Sequence, residues 1–371
     1  MPEELEESLQ GLINRAVIYS DPGVSLETAV VDLPVPQPAD GEILVRLYYS
    51  GVCHTDVSFC LNALPGLRVP TPKGQIGGHE GVGVVVAHGP GVTSPAIGSR
   101  VGIKYAADAC LTCDNCIEGA EASCLNIKVS GYFTPGTFQQ YCIATARYVT
   151  PIPDNLDLAA AAPLMCGGVT VYTALRKAGL RPGDWVAVFG AGGGLGHLGI
   201  QYAKAMGGRV IALDVGSKRD FCLSQAADEF IDITQFGVDE DVAAKVKSLS
   251  NGGVRISLQC TSSSRAYAQA FSSLCFRGTL VCIGVPQNPV SFAPNISAIV
   301  GQELRIISAK TGNRVDVKEC LNLAARGFIK CHYQIRKMSE LTNASEISPI
   351  VFKEMQASLI EGRAILDLDG M

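Results

Sequence analysis

The sequence predicts an α/β chain of two domains, a partly closed β-barrel joined to a doubly wound parallel sheet, and three observations carry that prediction. Before residue 150, short alternating runs broken by Gly and Pro read as strands of a β domain. After Trp185, apolar runs alternate with helical stretches, the pattern of a parallel sheet covered on both faces. The glycine-rich stretch Gly190-Ala191-Gly192-Gly193-Gly194-Leu195-Gly196 joins the first of those apolar runs to the first helical one. With 371 residues, 47% hydrophobic and 18% charged, the chain can bury two cores of ordinary size.

Taken in order, the strands expected first are Ala16 to Tyr19, Glu42 to Val52, Gly81 to His88, Arg100 to Lys104 and Phe138 to Ala144. Leu158 to Leu175 is apolar enough to suggest a membrane span. It contains Pro163, Gly167 and Gly168, however, and lacks interfacial flanks, so it reads as buried core. Strands then fall near 185–189, 209–213, 229–233, 254–260, 279–285 and 303–309, with helices near 196–206, 217–226, 238–249 and 264–274. Six strands make two mononucleotide-binding halves. The tail offers helices near 315–326 and 349–360 and a last strand, Ala364 to Leu368. It has no sheet of its own, so it is expected to return to the first domain.

A net charge of −5 and the lack of any Lys/Arg block exclude nucleic acid and an anionic membrane as expected partners. Met1 to Gln10 carries four glutamates and no apolar core, which argues against a targeting leader and for a cytoplasmic enzyme. Fourteen cysteines in that compartment stay reduced, so a cluster among them points to metal or catalysis rather than disulfides.

Strand, glycine turn and helix in succession form a phosphate cradle. Without Cβ atoms the backbone can approach a pyrophosphate, whose charge meets unpaired N–H groups and the positive end of the helix dipole. The spacing is one residue longer than the usual fingerprint, with Gly190, Gly193 and Gly196 as its glycines and Gly194 and Leu195 filling the turn. A lone turn of this kind can be merely structural, and context decides. Here a second strand ends in Asp214, eighteen residues after Gly196, where a carboxylate can accept bonds from the adenosine ribose and repel a 2′-phosphate. NAD is therefore favoured over NADP, although Lys218 and Arg219 stand nearby.

Cys110, Cys113, Cys116 and Cys124 fall within fifteen residues as C-x2-C-x2-C-x7-C. Four thiolates so close can close a tetrahedron around zinc and leave no open position for chemistry. An iron–sulfur cluster also uses Cys runs, but the last spacing does not match the ferredoxin pattern. A second set is spread along the chain: Cys53 in Gly51-Val52-Cys53-His54-Thr55-Asp56, His79 and Glu80 in Gly78-His79-Glu80-Gly81, and Cys166 in Leu164-Met165-Cys166-Gly167. Two thiolates and an imidazole would leave a fourth zinc position for water or substrate. Taken singly, each of these residues reads as core or a surface pair. His88, His197 and His332 lie apart from these motifs and read as structural.

These motifs, with Ser130-Gly131-Tyr132, Gly136 to Tyr141, Cys166 to Tyr172 and Gly362-Arg363, resemble the zinc-containing medium-chain alcohol dehydrogenases, above all their fungal tetrameric branch, over nearly the whole chain. The resemblance implies a GroES-like barrel of residues 1–167 and 310–371 and a Rossmann domain of residues 168–309. It implies a catalytic zinc on Cys53, His79 and Cys166, with Glu80 as alternate ligand, and a structural zinc on the four-cysteine lobe. Asp56 would orient His79, and Thr55 would take the substrate proton. His54 and Arg363 would meet the NAD pyrophosphate, and Lys218 with Asp214 the ribose. The implied reaction is reversible hydride transfer between an alcohol and NAD+, giving an aldehyde or ketone, in a homodimer or homotetramer paired through 278–286 and 303–308.

The chain departs from that branch around the substrate. Ser58 stands where a relay histidine is usual, Cys60, Leu64 and Tyr105 replace bulky tryptophans, and the segment between Cys53 and His79 is longer. A roomier pocket, lined by Phe59, Cys60, Leu64, Tyr105 and Tyr132, suits an alcohol larger than ethanol, cyclic or aromatic, in a specialised biosynthetic route. The alternatives are an ordinary ethanol-type enzyme whose loop refills the pocket, a zinc-free enone reductase, which the intact ligand set disfavours, and a non-catalytic NAD-binding protein with zinc.

Overall fold

A computed structural model describes residues 11–64, 67, 69–237, 239–286, 292–341, 350–357 and 359–370. Met1 to Gln10, on which the expectation about a targeting leader rests, lies outside them. Backbone contacts divide the chain into two compact units, Met1–Cys166 with Asn313–Leu321 and Tyr333–Met371, and Gly167–Gly312 with Asn322–His332.

In chain order the first unit begins with β1 (Ile13–Tyr19), β2 (Thr28–Pro34), β3 (Glu42–Val52), α1 (His54–Cys60), β4 (Gly81–His88) and β5 (Arg100–Ile103). It continues with β6 (Ala106–Asp108), β7 (Lys128–Ser130), β8 (Phe133–Thr134), β9 (Tyr141–Thr145) and β10 (Thr150–Pro151). The second unit holds α2 (Gly167–Ala178), β11 (Trp185–Phe189), α3 (Gly196–Ala205), β12 (Arg209–Asp214), α4 (Arg219–Ser224), β13 (Glu229–Asp232) and α5 (Asp239–Leu249). After these come β14 (Val254–Gln259), α6 (Ser264–Ser272), β15 (Leu274–Cys282), α7 (Ile296–Gln302) and β16 (Arg305–Ser308). The tail adds α8 (Arg314–Ala325), β17 (Tyr333–Lys337), α9 (Ile350–Gln356) and β18 (Arg363–Asp367).

The first unit is organised on β3, which pairs antiparallel with β4, β9 and β18 in a sheet ordered β10-β5-β4-β3-β18-β17. Its inward face buries Val17, Tyr19, Val45, Leu47, Val57, Phe59, Phe138 and Leu366 in one core. Glycines let the β3–β4 pair close tightly, since a Cβ on Gly83 would lie 1.9 Å from the Arg46 carbonyl. The final strand does return to this sheet, and β17, a strand with no sequence signal, comes with it. Most of β17 faces outward, so alternation could not mark it.

The second unit is a six-stranded parallel sheet ordered β13-β12-β11-β14-β15-β16, the doubly wound arrangement. Its inner strands are apolar runs buried on both faces: Val186, Ala187, Val188 and Phe189 of β11 are 0–2% exposed. Two boundaries differ from the sequence expectation. β15 starts at Leu274 rather than 279, with a register shift against β14 and positive φ at Arg277 interrupting its pattern. Asn322–His332 joins this unit rather than the first, because Gln201 and His197 on α3 hold the backbone of Lys330 and His332. The apolar run 158–175 breaks at Cys166 into short buried helical pieces, and no single helix among the described residues is long and apolar enough to cross a membrane.

Candidate active site

α1 begins where β3 ends, and its first turn builds the centre. Cys53 is the N-cap, and the carboxylate of Asp56 accepts the Cys53 amide at 2.9 Å, so one residue ties off the helix start. The other oxygen of Asp56 lies 2.8 Å from Nδ1 of His79, with both side chains fully buried. A carboxylate only accepts, so Nδ1 carries the proton and Nε2 is left with its lone pair. Among the described residues that Nε2 has no hydrogen-bond partner.

An unpartnered imidazole nitrogen in a dry interior costs free energy unless something electron-poor sits in front of it. Ligand atoms of Cys53, His79, Glu80 and Cys166 all lie within 4.8 Å of one another, and a metal ion fits that donor set. Cys166 arrives from the end of a short helical turn, Ala162–Met165, remote in sequence from the other three. The Cys53 thiol is held well below its ordinary pKa, chiefly by a hydrogen bond with Cys166 and further by His79 and Arg363. Burial works against a charge on His79, but Asp56 and Cys53 outweigh it and raise its pKa, so an electron-poor partner at Nε2 is favoured: a proton in the free protein, which a bound metal ion would displace.

Glu80 shows a contact the sequence did not suggest. Arg363, at the start of β18 and assigned only to pyrophosphate, pairs with the buried Glu80 carboxylate. Burial raises Glu80 to about 7 despite that guanidinium, and its Oε2 and the Nε of Arg363 have no partner among the described residues. Gly51 makes room, since a Cβ there would meet Oε2 of Glu80 at 2.0 Å. Thr137 stands in the Gly136 to Tyr141 motif without a role read from the sequence; its hydroxyl accepts the Glu80 amide at 3.2 Å and lies 2.7 Å from Ser50 Oγ.

The other expected residues fall as follows. Thr55 is half-buried on the first turn of α1, and His54 is exposed beside it with Nε2 3.1 Å from the Met355 carbonyl. Ser58 donates to the His54 carbonyl at 3.0 Å. Tyr105 presents its edge to His79 at 5.8 Å, and Phe59 stacks between Tyr105 and Tyr132 at 6.4 and 5.3 Å. Leu64 packs half-buried on the barrel core. Cys60 is a correction: its sulfur turns to the carbonyls of Ser25 and Glu27 and is fully buried, so it does not line a pocket. One residue after Phe59 on a short helix, it faces the β1–β2 connection instead.

In the four-cysteine lobe, sulfurs stand 3.5 Å (Cys110–Cys124) and 4.0 Å (Cys110–Cys116, Cys113–Cys124) apart. Four sulfurs at tetrahedral corners, each ~2.3 Å from one centre, stand about 3.8 Å apart, whereas a disulfide needs about 2.05 Å. Backbone amides of Cys110 and Asn126 point at Cys124 Sγ and that of Cys113 at Cys110 Sγ, as thiolates require. Amides at Thr112 and Cys113 bring Cys110 down to about 5.

In the second unit the cradle has the form expected. Gly190 has φ of 75°, and a Cβ on Gly196 would lie 2.1 Å from the Gly190 carbonyl, so both must be glycine. Gly193 is different: its Cβ position is open apart from the Gly190 oxygen at 3.4 Å, which leaves that space for a ligand. Both Asp214 oxygens accept backbone amides, from Gly192 at 2.7 Å and Val215 at 2.8 Å, and Lys218 lies along Gly192.

Comparison with known proteins agrees with this architecture. Residues 39–154 match the alcohol dehydrogenase GroES-like domain, and residues 194–326 match the zinc-binding dehydrogenase family. Alcohol dehydrogenase 2 of Emericella nidulans is 45% identical over 364 residues, covering 95% of this chain and 97% of that one. A cinnamyl alcohol dehydrogenase from Sorghum bicolor superposes with a TM-score of 0.83 at 26% identity, covering 97% and 98% of the two chains. The solved structure of an NAD-dependent alcohol dehydrogenase gives 0.83 at 25% identity, covering 95% and 99%. With both domain models matched in chain order and a fungal relative at 45% identity along almost the whole length, the chain belongs to the zinc- and NAD-dependent alcohol dehydrogenases.

Proposed function

We propose that the first unit carries the catalytic centre on Cys53, His79 and Cys166, that the second binds NAD, and that the reaction is reversible hydride transfer between an alcohol larger than ethanol and NAD+. The observation that carries this is the buried Nε2 of His79, which has no hydrogen-bond partner among the described residues and stands among two thiols and the Glu80 carboxylate, whose Oε1 is 3.9 Å away. Zinc there would supply Lewis acidity that brings an alcohol's pKa toward neutrality, and NAD+ the hydride acceptor.

The chain's own residues do the rest. Asp56 fixes the imidazole so that Nε2 faces the two thiols. Arg363 balances the Glu80 carboxylate, so a second negative group stays within reach of the centre without repelling it outright. Thr55 takes the substrate proton. Ser58 donates its hydroxyl hydrogen bond to the His54 carbonyl and has no pKa near neutrality, so the base at that step is supplied by water or another group and not by this side chain.

Two things support a large substrate. The half-buried Tyr105 ring meets His79 at 5.8 Å and offers an aromatic face suited to an aromatic or cyclic body, while Phe59, fully buried in the core, backs Tyr105 and Tyr132 rather than lining the pocket as the sequence suggested. The Sorghum relative is named for cinnamyl alcohol. Each methylene buried there adds about 0.8 kcal/mol of transfer free energy. Steady-state kinetics over an alcohol series, with zinc content measured on the same preparation, test the proposal. We expect kcat/KM to rise from ethanol to benzyl and cinnamyl alcohols, with two zincs per chain. A steady fall along the series returns the chain to an ethanol-type enzyme, and two zincs without turnover on any alcohol to a non-catalytic protein.

We further propose that copies of the chain associate through β16. It is the edge strand of its sheet and leaves Ile306 42% exposed, while Val300 on α7 is 73% exposed.

A further inference from the structure

His197, which reads from the sequence as merely structural, sits at a junction. It lies on the first turn of α3, fully buried, with Nδ1 3.0 Å from the Gly193 carbonyl. Its Nε2 accepts the His332 amide at 3.3 Å and lies 3.7 Å from the Cys331 sulfur. One turn further along α3, Gln201 grips Lys330 twice, donating to its carbonyl at 3.0 Å and accepting its amide at 2.7 Å. Segment 330–332 is thereby fastened to the face of α3 that leads into the glycine turn.

The proton inventory follows from the partners. A carbonyl only accepts and an amide only donates, so Nδ1 carries the proton and Nε2 the lone pair. The Gly193 oxygen therefore takes two donors, the His197 side chain and the His197 amide at 3.1 Å. In a planar trans peptide the C=O and the following N–H point in opposite directions. Drawing the Gly193 oxygen onto α3 aims the Gly194 N–H away from the helix, into the turn. Among the described residues the Gly194 and Leu195 amides meet no backbone carbonyl.

We propose that His197 is a positioning residue for the dinucleotide: it fixes the Gly193–Gly194 peptide so that the Gly194 N–H is presented to the pyrophosphate, and segment 330–332 fixes His197 in turn. This rests on reading Gly190–Gly196 as the NAD cradle. Loss of the Nδ1 donor leaves the Gly193 oxygen held by the His197 amide alone, so the peptide is less firmly fixed and part of its ordering falls to ligand binding.

The test compares ADP-ribose, measured by calorimetry, with adenosine, which has no phosphate, measured by ligand-observed NMR, on the full chain. His197→Asn keeps a donor in reach of the Gly193 oxygen, whereas His197→Gln reaches toward His332 and loses it. We expect ADP-ribose to bind about tenfold more weakly to the Gln variant, the effect of one hydrogen bond, and within twofold of wild type to the Asn variant. Adenosine should bind both variants as it binds wild type. His197→Phe should behave as the Gln variant; if it fails to fold, the Asn and Gln pair still decides. Equal ADP-ribose affinity in the Asn and Gln variants, or a parallel loss of adenosine, overturns the positioning role alone. Wild-type chain that binds neither ligand overturns the cradle reading and this role with it.

Discussion

The Asp56 carboxylate lies 2.8 Å from Nδ1 of His79 while its other oxygen holds the Cys53 amide, so two prospective metal ligands depend on one buried side chain. Asp56→Asn keeps the shape but removes the charge and leaves one accepting oxygen for two donors, so either Nδ1 of His79 or the Cys53 amide faces an NH2 group. Partners of this kind are worth about 10- to 100-fold in metal affinity. Chelator competition should show one zinc per chain leaving that much more easily and the other unchanged. If both are held as in wild type, Asp56 does not govern the centre.

Cys113→Ser should lose about one zinc per chain and lower the melting temperature, because metal binding in a closed tetrathiolate site is folding free energy. Mass spectrometry of the intact variant under native conditions reads the metal count directly. Retention of both metals refutes the lobe assignment.

Asp214 has two roles that substitution should separate. Its charge repels a 2′-phosphate, and its oxygens hold the amides of Gly192 and Val215. Asp214→Ser should raise the ratio of kcat/KM for NADP over NAD about tenfold or more, while lowering NAD efficiency because the turn loses its support. A wild type that already prefers NADP contradicts both parts.

Lys104 is buried against the Tyr148 ring and donates to the Tyr148 carbonyl and to Thr150. Burial, partly opposed by Glu121, lowers its pKa from 10.5 to about 8. Between those values the folded chain has released a proton that the unfolded chain still binds, so stability rises with pH across that window. The gain is roughly 3 kcal/mol at most. Lys104→Met removes this slope, so urea denaturation at pH 7.5 and 10 should show the wild type gaining on the variant. A constant difference would falsify the assignment.

If β16 pairs copies of the chain, Ile306→Lys should shift light scattering toward monomer with little change in far-ultraviolet circular dichroism. A wild type that is monomeric at micromolar concentration removes the proposal.

The inner strands were legible because burial on both faces demands unbroken apolar runs. β11 spans Trp185–Phe189 and β4 Gly81–His88, both as read from the sequence. β2 and β17 were not, since a strand with one exposed face and few neighbours carries weak alternation. Spacing alone grouped the four lobe cysteines, which lie within one short loop. Cys53, His79 and Cys166 could be joined only through resemblance, because each is delivered by a different element.

The sequence by itself determined the two-domain α/β class, the glycine cradle with its acidic strand end, and a tetrathiolate lobe, because each depends on residues close in the chain. Only the tertiary structure decided that Arg363 faces Glu80, that Cys60 turns from the pocket, that Ser58 spends its hydroxyl on His54, and that His197 holds the Gly193 carbonyl. In each case the direction of a side chain is set by which donor or acceptor a distant segment, or the next turn of a helix, happens to present, and hydrophobic periodicity does not encode it.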